Sequence, residues 1–102
     1  LANPPIGPGS FAGSRRSEPT RSQVSRNSCL ELALAAEQAC RAGECQTGVR
    51  LFTAALAEGT DDAHLLSAIY SQLGNAQFML QQYSQALDCH SWDLALARKF
   101  CD

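Results

Sequence analysis

Five cysteines and two histidines are the residues of this 102-residue chain that could bind a metal or act in nucleophilic chemistry. The best metal grouping would bring Cys40 and Cys45, on either side of a predicted turn, together with Cys89 and His90. Structural zinc sites use paired ligands at short loop spacings, and the chain contains no C-x-x-C pair. We therefore interpret the thiols as buried or incidental and predict no cofactor, with a Cys/His metal or redox site as the weaker alternative.

A catalytic grouping has equally little support. Cys89, His90 and Asp93 fall on one predicted helix, where adjacent residues point apart. The other histidine, His64, belongs to no recognisable nucleophile motif, and no glycine-rich phosphate loop follows a predicted strand. The sequence predicts a protein that is not an enzyme.

The composition of the chain changes at Ser28. Residues 1–27 contain all four prolines, and four arginines against one glutamate give this arm a charge of +3, whereas the remainder carries −5. Such a segment cannot bury enough apolar surface to offset its ordering entropy, so we predict a disordered arm that is a solvated linker. The short motif Arg15-Arg16-Ser17, a target for a basophilic kinase, is the weaker alternative, and no nucleic-acid partner is predicted. No apolar run is long enough for a membrane span or a secretory signal, and the odd number of cysteines favours a reducing cytoplasm.

The stretch from Leu66 to Leu87 predicts a helical hairpin. Its first helix has apolar residues at the spacing of one buried face, namely Leu66, Ile69, Tyr70, Leu73, Ala76 and Leu80. Gly74 costs a helix about 1 kcal/mol relative to Ala, which is offset where a partner helix approaches closely, and we expect Ala86 to meet it. A turn at 81–83 leads to a second helix, whose apolar face is formed by Leu87, Leu94, Ala95 and Leu96.

The same hairpin has the pattern of a tetratricopeptide repeat, which places Tyr70, Leu73, Gly74, Tyr83 and Ala86 at fixed offsets. A shift of 38 residues aligns Cys45 with Tyr83, Gly48 with Ala86 and Phe52 with His90, so an upstream copy is present. Cys45 and His90 then occupy predicted core positions. The sequence therefore predicts an all-α fold of two tetratricopeptide-type repeats, 28–59 and 60–102, with four antiparallel helices.

Helix ends agree with this division. Ser28 and Glu31 form a predicted capping box that opens the first helix. The second helix spans about 44–58, and Gly59 ends it in a predicted left-handed conformation. The stretch from Thr60 to Asp62 supplies a cap and negative charge for the third helix. Because two hairpins leave an apolar face uncovered, and because the chain starts without methionine, we expect a fragment of a longer array.

Several stretches resemble the N-terminal repeats of the LGN and Pins group, the G-protein-signalling modulators. They are CLELAL from Cys29, AGEC from Ala42, GT-D from Gly59, LSAIYSQLGNA from Leu66, and H-x-x-D-L-x-L-A from His90. Two departures from the family pattern are Gln77 in place of an aromatic residue and Trp92 in place of a basic residue or histidine.

The resemblance implies a scaffold of the cytoplasm and cell cortex that acts in spindle orientation and cell polarity. In that family the repeats bind extended segments of NuMA-type or Inscuteable-type partners. An inhibitory G-protein alpha subunit is implied as a partner of the full family member, through C-terminal motifs that this sequence does not contain.

The first helix of each hairpin is expected to line a peptide-binding groove. Its candidate residues are polar or flexible and lie off the packing stripe: Glu37, Arg41, Gln72, Asn75 and Met79. Asn75 is the leading candidate because its amide can both donate to and accept from the backbone of an extended ligand, although a solvated surface amide is the alternative.

Two other binding functions remain open from the sequence. A co-chaperone-type module that holds a C-terminal carboxylate needs several converging cations, and Arg41 is nearly alone on the groove helices. A purely structural oligomerisation module would use the uncovered stacking face. Both rank below the scaffold hypothesis.

Overall fold

The computed structural model describes the backbone of residues 21–101 and the side chains of residues 28–99. Over these residues the chain forms four α-helices and no strand: α1 (Arg21–Arg41), α2 (Cys45–Glu58), α3 (Ala63–Met79) and α4 (Tyr83–Cys101). Helices α1 and α2 pack as one hairpin and α3 and α4 as a second, and the hairpins meet mainly through α2 and α3. The predicted all-α fold of two helical hairpins is confirmed.

Helix α1 begins earlier than the sequence predicts. Ser28 and Glu31 lie inside the helix, which starts at Arg21, so the predicted capping box does not open it. The physical reason is that no proline or glycine interrupts the chain from Arg21 to Ala42. Residues 21–27, which the sequence assigns to the disordered arm, have helical backbone as the start of α1, and the remaining part of the predicted arm, 1–20, lies outside the described residues.

The turns follow from local chemistry. As predicted, Asp62 caps α3: its carboxylate accepts the backbone N–H groups of His64 at 3.0 Å and Leu65 at 3.2 Å. Gly59 ends α2 with a positive φ of 84°, but its ψ of 155° lies outside the left-handed helical region, so that detail of the prediction is wrong. The turn between α3 and α4 contains Gln81 at φ 64°.

The core is built mainly from small side chains around three large ones, Phe52, Ile69 and Leu73. Phe52 of α2 and Ile69 of α3 are fully buried in the cluster that joins the hairpins. Its other buried members are Cys29, Ala33, Ala36, Ala55, Ala68, Leu73 and Cys89. Because most of these residues are small, the helix backbones approach closely, and the packing depends on fine steric fit.

Each hairpin has a glycine at a point of close helix approach. A Cβ at Gly48 would overlap the Sγ of Cys40 and lie 3.3 Å from the carbonyl oxygen of Ala36. A Cβ at Gly74 would lie 2.8 Å from the imidazole of His90. The residue nearest to Gly74 on α4 is therefore His90 rather than the predicted Ala86, which is buried on the same helix.

Candidate peptide-binding groove and neighbouring surfaces

Three of the predicted groove residues form one polar cluster between α1 and α3. The Nε2 of Gln72 donates a hydrogen bond to the Oε2 of Glu37 at 3.1 Å, and the Nη2 of Arg41 lies 3.6 Å from the same oxygen. Glu37 and Gln72 are buried, with 4% and 8% of their surface exposed, whereas the Arg41 side chain is 44% exposed. Glu37 and Gln72 therefore bind each other across the hairpins, and Arg41 is the member of the cluster that a ligand can reach.

The other two predicted groove residues continue along α3. Asn75 and Met79 follow Gln72 by three and seven residues, so all three lie on one side of the helix. Asn75 is half-buried, and Met79 is exposed at the last residue of α3. This side of the fold therefore carries a guanidinium group, an amide and a flexible thioether.

A second surface, here called the end face, consists of Phe78, Tyr83, Leu87 and Leu94, all of which are exposed. The rings of Phe78 and Tyr83 pack edge to face, with centroids 5.2 Å apart. Leu87 and Leu94 lie two turns apart on one side of α4. The prediction that these leucines form the packed face of the helix is wrong, because α4 buries Ala86 and Cys89 instead.

The end face corresponds to a covered surface in the first hairpin. At the 38-residue offset, His90 aligns with Phe52 and Leu94 with Leu56. Phe52 is fully buried where α3 packs on α2, whereas His90 is exposed because α4 contacts α3 alone among the described helices. The core position predicted for His90 is therefore wrong in this structure.

Two hydrogen bonds and an aromatic pair join α3 to α4. The hydroxyl of Ser67 donates to the carboxylate of Asp93, and the thiol of Cys89 donates to the Oε1 of Gln77 at 3.2 Å. Gln77 thus uses its amide to satisfy a buried thiol. The aromatic pair is formed by Tyr70 of α3 and Trp92 of α4.

The comparisons with known proteins identify the relatives of the chain. No protein-family model matches it. It is 56% identical over 75 residues, 74% of its length, to G-protein-signaling modulator 1 of Homo sapiens, and the same figures hold for the proteins of Mus musculus and Rattus norvegicus. The chain belongs to the G-protein-signalling modulator family. The aligned region spans 11% of the length of these curated relatives.

Membership of the G-protein-signalling modulator family confirms the resemblance to the LGN and Pins group. The relatives are named as modulators of G-protein signalling. No helix among the described residues is long and apolar enough to cross a bilayer.

Burial favours the protonated thiol at three of the described cysteines, Cys29, Cys40 and Cys89. Burial raises the pKa of Cys29 and of Cys89, and burial together with the neighbouring Cys45 and Glu37 raises that of Cys40 to about 11. A protonated thiol is a poor nucleophile and a poor metal ligand. Over the described residues no three His, Cys, Asp or Glu side chains are placed to hold a metal ion. Cys45 is half-buried rather than in the core.

Sequence reasoning did not select one aromatic pair that the structure brings together, the half-buried Tyr70 and the exposed Trp92. Tyr70 of α3 and Trp92 of α4 stack with their ring centroids 6.2 Å apart and their planes 22° apart. Trp92 is 59% exposed. Two features of the sequence could have pointed to this pair. Trp92 departs from the family pattern, and it lies two residues from Leu94, which places it on a different side of α4 from the apolar leucines.

Proposed function

We propose that this chain is a non-enzymatic, protein-binding segment of a G-protein-signalling modulator, built from two tetratricopeptide-type repeats. Its identity of 56% to G-protein-signaling modulator 1 carries the proposal. The two helical hairpins support it, because such hairpins offer the side of their first helices to extended ligands. The proposed limits of the repeats are 28–59 and 60–102.

The proposed ligand is an extended protein segment of the NuMA or Inscuteable type that lies along α1 and α3. Arg41 supplies a guanidinium donor, Asn75 an amide that pairs with a peptide backbone, and Met79 an adaptable apolar contact. Glu37 and Gln72 act indirectly: their hydrogen bond couples the two first helices and so sets the distance between the exposed members.

The proposed setting is spindle orientation and cell polarity, in the cytoplasm and at the cell cortex. The name of the relatives supports a connection to G-protein signalling. An inhibitory G-protein alpha subunit is the proposed partner of the longer family protein and would bind outside the sequence described.

The end face supports the further proposal that the array continues. A following hairpin would cover His90 and Leu94 as α3 covers Phe52 and Leu56 in the first hairpin. Stacking of this kind is how helical repeats bury a continuous core.

The co-chaperone alternative has less support. A clamp for a C-terminal carboxylate needs uncompensated cations, whereas Arg41 lies beside the buried carboxylate of Glu37. The remaining cations among the described side chains, Arg50, Arg98 and Lys99, belong to α2 and α4 rather than to the groove helices.

Calorimetric titration of the chain with a NuMA-type segment tests the proposed groove. We expect Asn75→Ala to weaken binding by about 3- to 10-fold, which corresponds to the loss of about one neutral hydrogen bond. Gln85→Ala, at an exposed position of α4, is the matched control and should bind as the unmodified chain does. Equal affinities of Asn75→Ala and the control, with unchanged helicity, would contradict the assignment of Asn75.

A further inference from the structure

Two cysteines lie at the turn that joins α1 to α2, on the sides of these helices that face each other. Cys40 follows the buried Ala36 by one helical turn on α1, and Cys45 precedes the buried Gly48 by one turn on α2. Ala36 and Gly48 meet in the interface, because a Cβ at Gly48 would lie 3.3 Å from the carbonyl oxygen of Ala36. Since the helices of a hairpin run antiparallel, one turn further towards their connection brings Cys40 opposite Cys45.

The turn between the cysteines is closed by its own hydrogen bonds. The backbone N–H of Glu44 donates to the carbonyl oxygen of Ala39 at 2.8 Å, and that of Gly43 donates to the carbonyl oxygen of Cys40 at 3.0 Å. Gly43 has a positive φ of 86°. These are the features of a Schellman motif, which ends a helix with a residue of positive φ. The folded chain therefore holds the backbone at Cys40 and Cys45 in a defined geometry.

The side chain of Cys40 reaches across to α2. A Cβ at Gly48 would overlap the Sγ of Cys40 and lie 3.7 Å from its Cβ. Residues three apart on a helix have their Cβ atoms about 5–6 Å apart, so Cys45 lies beside the point on α2 that Cys40 contacts. The electrostatic effect of Cys45 on the raised pKa of Cys40 agrees with a short separation. Both residues are half-buried free thiols, so solvent reaches them.

No other pair of described cysteines is placed in this way. Cys29 lies about three helical turns from Cys40 along α1, and Cys89 belongs to α4, which contacts α3 alone among the described helices. Cys40 and Cys45 are therefore the two described thiols that the fold brings together.

We propose that Cys40 and Cys45 form a reversible disulfide by exchange with a small-molecule disulfide of the glutathione type. This modification site is additional to the proposed binding function. Disulfides in reducing compartments are usually transient or redox-sensing, and this pair joins the end of one helix to the start of the next. The bond fixes the turn that begins with Arg41, the exposed cation of the polar cluster.

The exchange has two steps. Because the pKa of Cys40 is raised to about 11, its sulfur stays protonated at neutral pH, and Cys45 attacks first. The Cys45 thiolate forms a mixed disulfide with one sulfur of the small disulfide and displaces the other as a thiolate. Cys40 then loses its proton, attacks the sulfur of Cys45 and releases the second thiolate. Two electrons pass from the cysteines to the small disulfide, and the two released thiolates take up the two protons.

The test identifies the disulfide that the full, reduced chain forms in a glutathione buffer. After acid quenching and alkylation of the remaining thiols, trypsin cleaves after Arg41 and separates Cys40 from Cys45 unless a disulfide joins the two peptides. We expect mass spectrometry to find this linked pair before any other, with fragmentation assigning the bond to Cys40 rather than Cys29. The matched control, Cys101→Ser, should form the same pair, and Cys45→Ser should leave Cys40 reduced.

Two further measurements relate the pair to the order of the steps and to the fold. Cys40→Ser should accumulate the mixed disulfide at Cys45, because the second thiol is absent. The effective concentration of Cys40 towards Cys45, measured at a known glutathione ratio, should be about 10-fold higher in the folded chain than in urea.

Equal effective concentrations with and without urea would overturn the proposal, because closeness in the sequence alone would then explain the bond. An earlier disulfide between another pair of cysteines, or between two chains, would overturn it as well.

Discussion

The side-chain amide of Gln72 on α3 donates a hydrogen bond of 3.1 Å to the buried carboxylate of Glu37 on α1. This contact joins the first helix of one hairpin to the first helix of the next, and Arg41 lies near the same oxygen. A carboxylate that is 4% exposed depends on such partners, because an uncompensated charge away from water is strongly disfavoured. Residues predicted as ligand contacts therefore also hold the fold together.

Replacement of either partner should destabilise the chain. We expect Glu37→Ala to lower the free energy of unfolding by about 1–3 kcal/mol, because the buried amide of Gln72 loses its acceptor. Gln72→Ala should have a similar effect, and the double variant should lose less than the sum of the two. Urea denaturation followed by circular dichroism measures these values. The control is Glu44→Ala, because the exposed carboxylate of Glu44 forms no capping hydrogen bond. If the losses of the two single variants added up to the loss of the double variant, the coupling of Glu37 and Gln72 would be refuted.

Gly48→Ala should also destabilise the first hairpin. The new methyl group would overlap the Sγ of Cys40 and crowd the carbonyl oxygen of Ala36, and forcing atoms into a packed interface costs about 1–3 kcal/mol. Adding Cys40→Ala should restore part of the stability, because it removes the overlapping sulfur. Thermal or urea unfolding of the single and double variants gives the comparison. A double variant as unstable as Gly48→Ala alone would show that the clash is with the backbone of α1.

Gly74→Ala should change stability less than Gly48→Ala, although Gly74 also lies at a close approach of two helices, α3 and α4. The nearest atoms belong to the imidazole of His90, an exposed side chain that can rotate away. Because alanine favours a helix over glycine by about 1 kcal/mol, we expect unchanged or slightly raised stability. The same unfolding experiment decides the matter. A loss as large as that of Gly48→Ala would mean that His90 is fixed in its place.

Stability should decline at alkaline pH through the thiols. The pKa of Cys40 is raised from 9.0 to about 11 in the folded chain, so folding favours the protonated thiol. Its contribution is fully present below pH 9 and is lost as the pH rises towards 11, by at most about 2 kcal/mol. Urea unfolding at pH 7 to 10.5 with a reductant should show a shallower decline in Cys40→Ala than in the unmodified chain. Parallel curves for the two chains would exclude this cause.

The end face should make the isolated chain self-associate. Leu87 is 67% and Leu94 is 55% exposed, and apolar surface of this kind promotes association. We expect Leu87→Asp with Leu94→Asp to shift the chain towards monomer in sedimentation velocity without loss of helicity. The control is Ala95→Asp, at an exposed position of α4 outside the end face. A chain that is monomeric before substitution would contradict this expectation.

The sequence by itself determined what depends on near neighbours. The apolar spacing of α3, the Asp62 cap and the turn glycines follow from interactions within a few residues, which also make the family resemblance recognisable. The predicted start of α1 at Ser28 differs from the observed one. Ser28 suits a helix cap, but the residues from Arg21 to Ser28 contain no proline or glycine, so the helix extends back to Arg21.

Only the tertiary structure decided which equivalent surfaces are covered. Phe52 and His90 share a repeat position, but α3 of the neighbouring hairpin covers Phe52, whereas His90 contacts α3 of its own hairpin and stays exposed, since no further described helix packs on α4. The pairing of Glu37 with Gln72 and the stack of Tyr70 on Trp92 likewise join residues on different helices. Burial of this kind depends on how separate helices pack, and helical periodicity identifies an apolar side without identifying the partner that covers it.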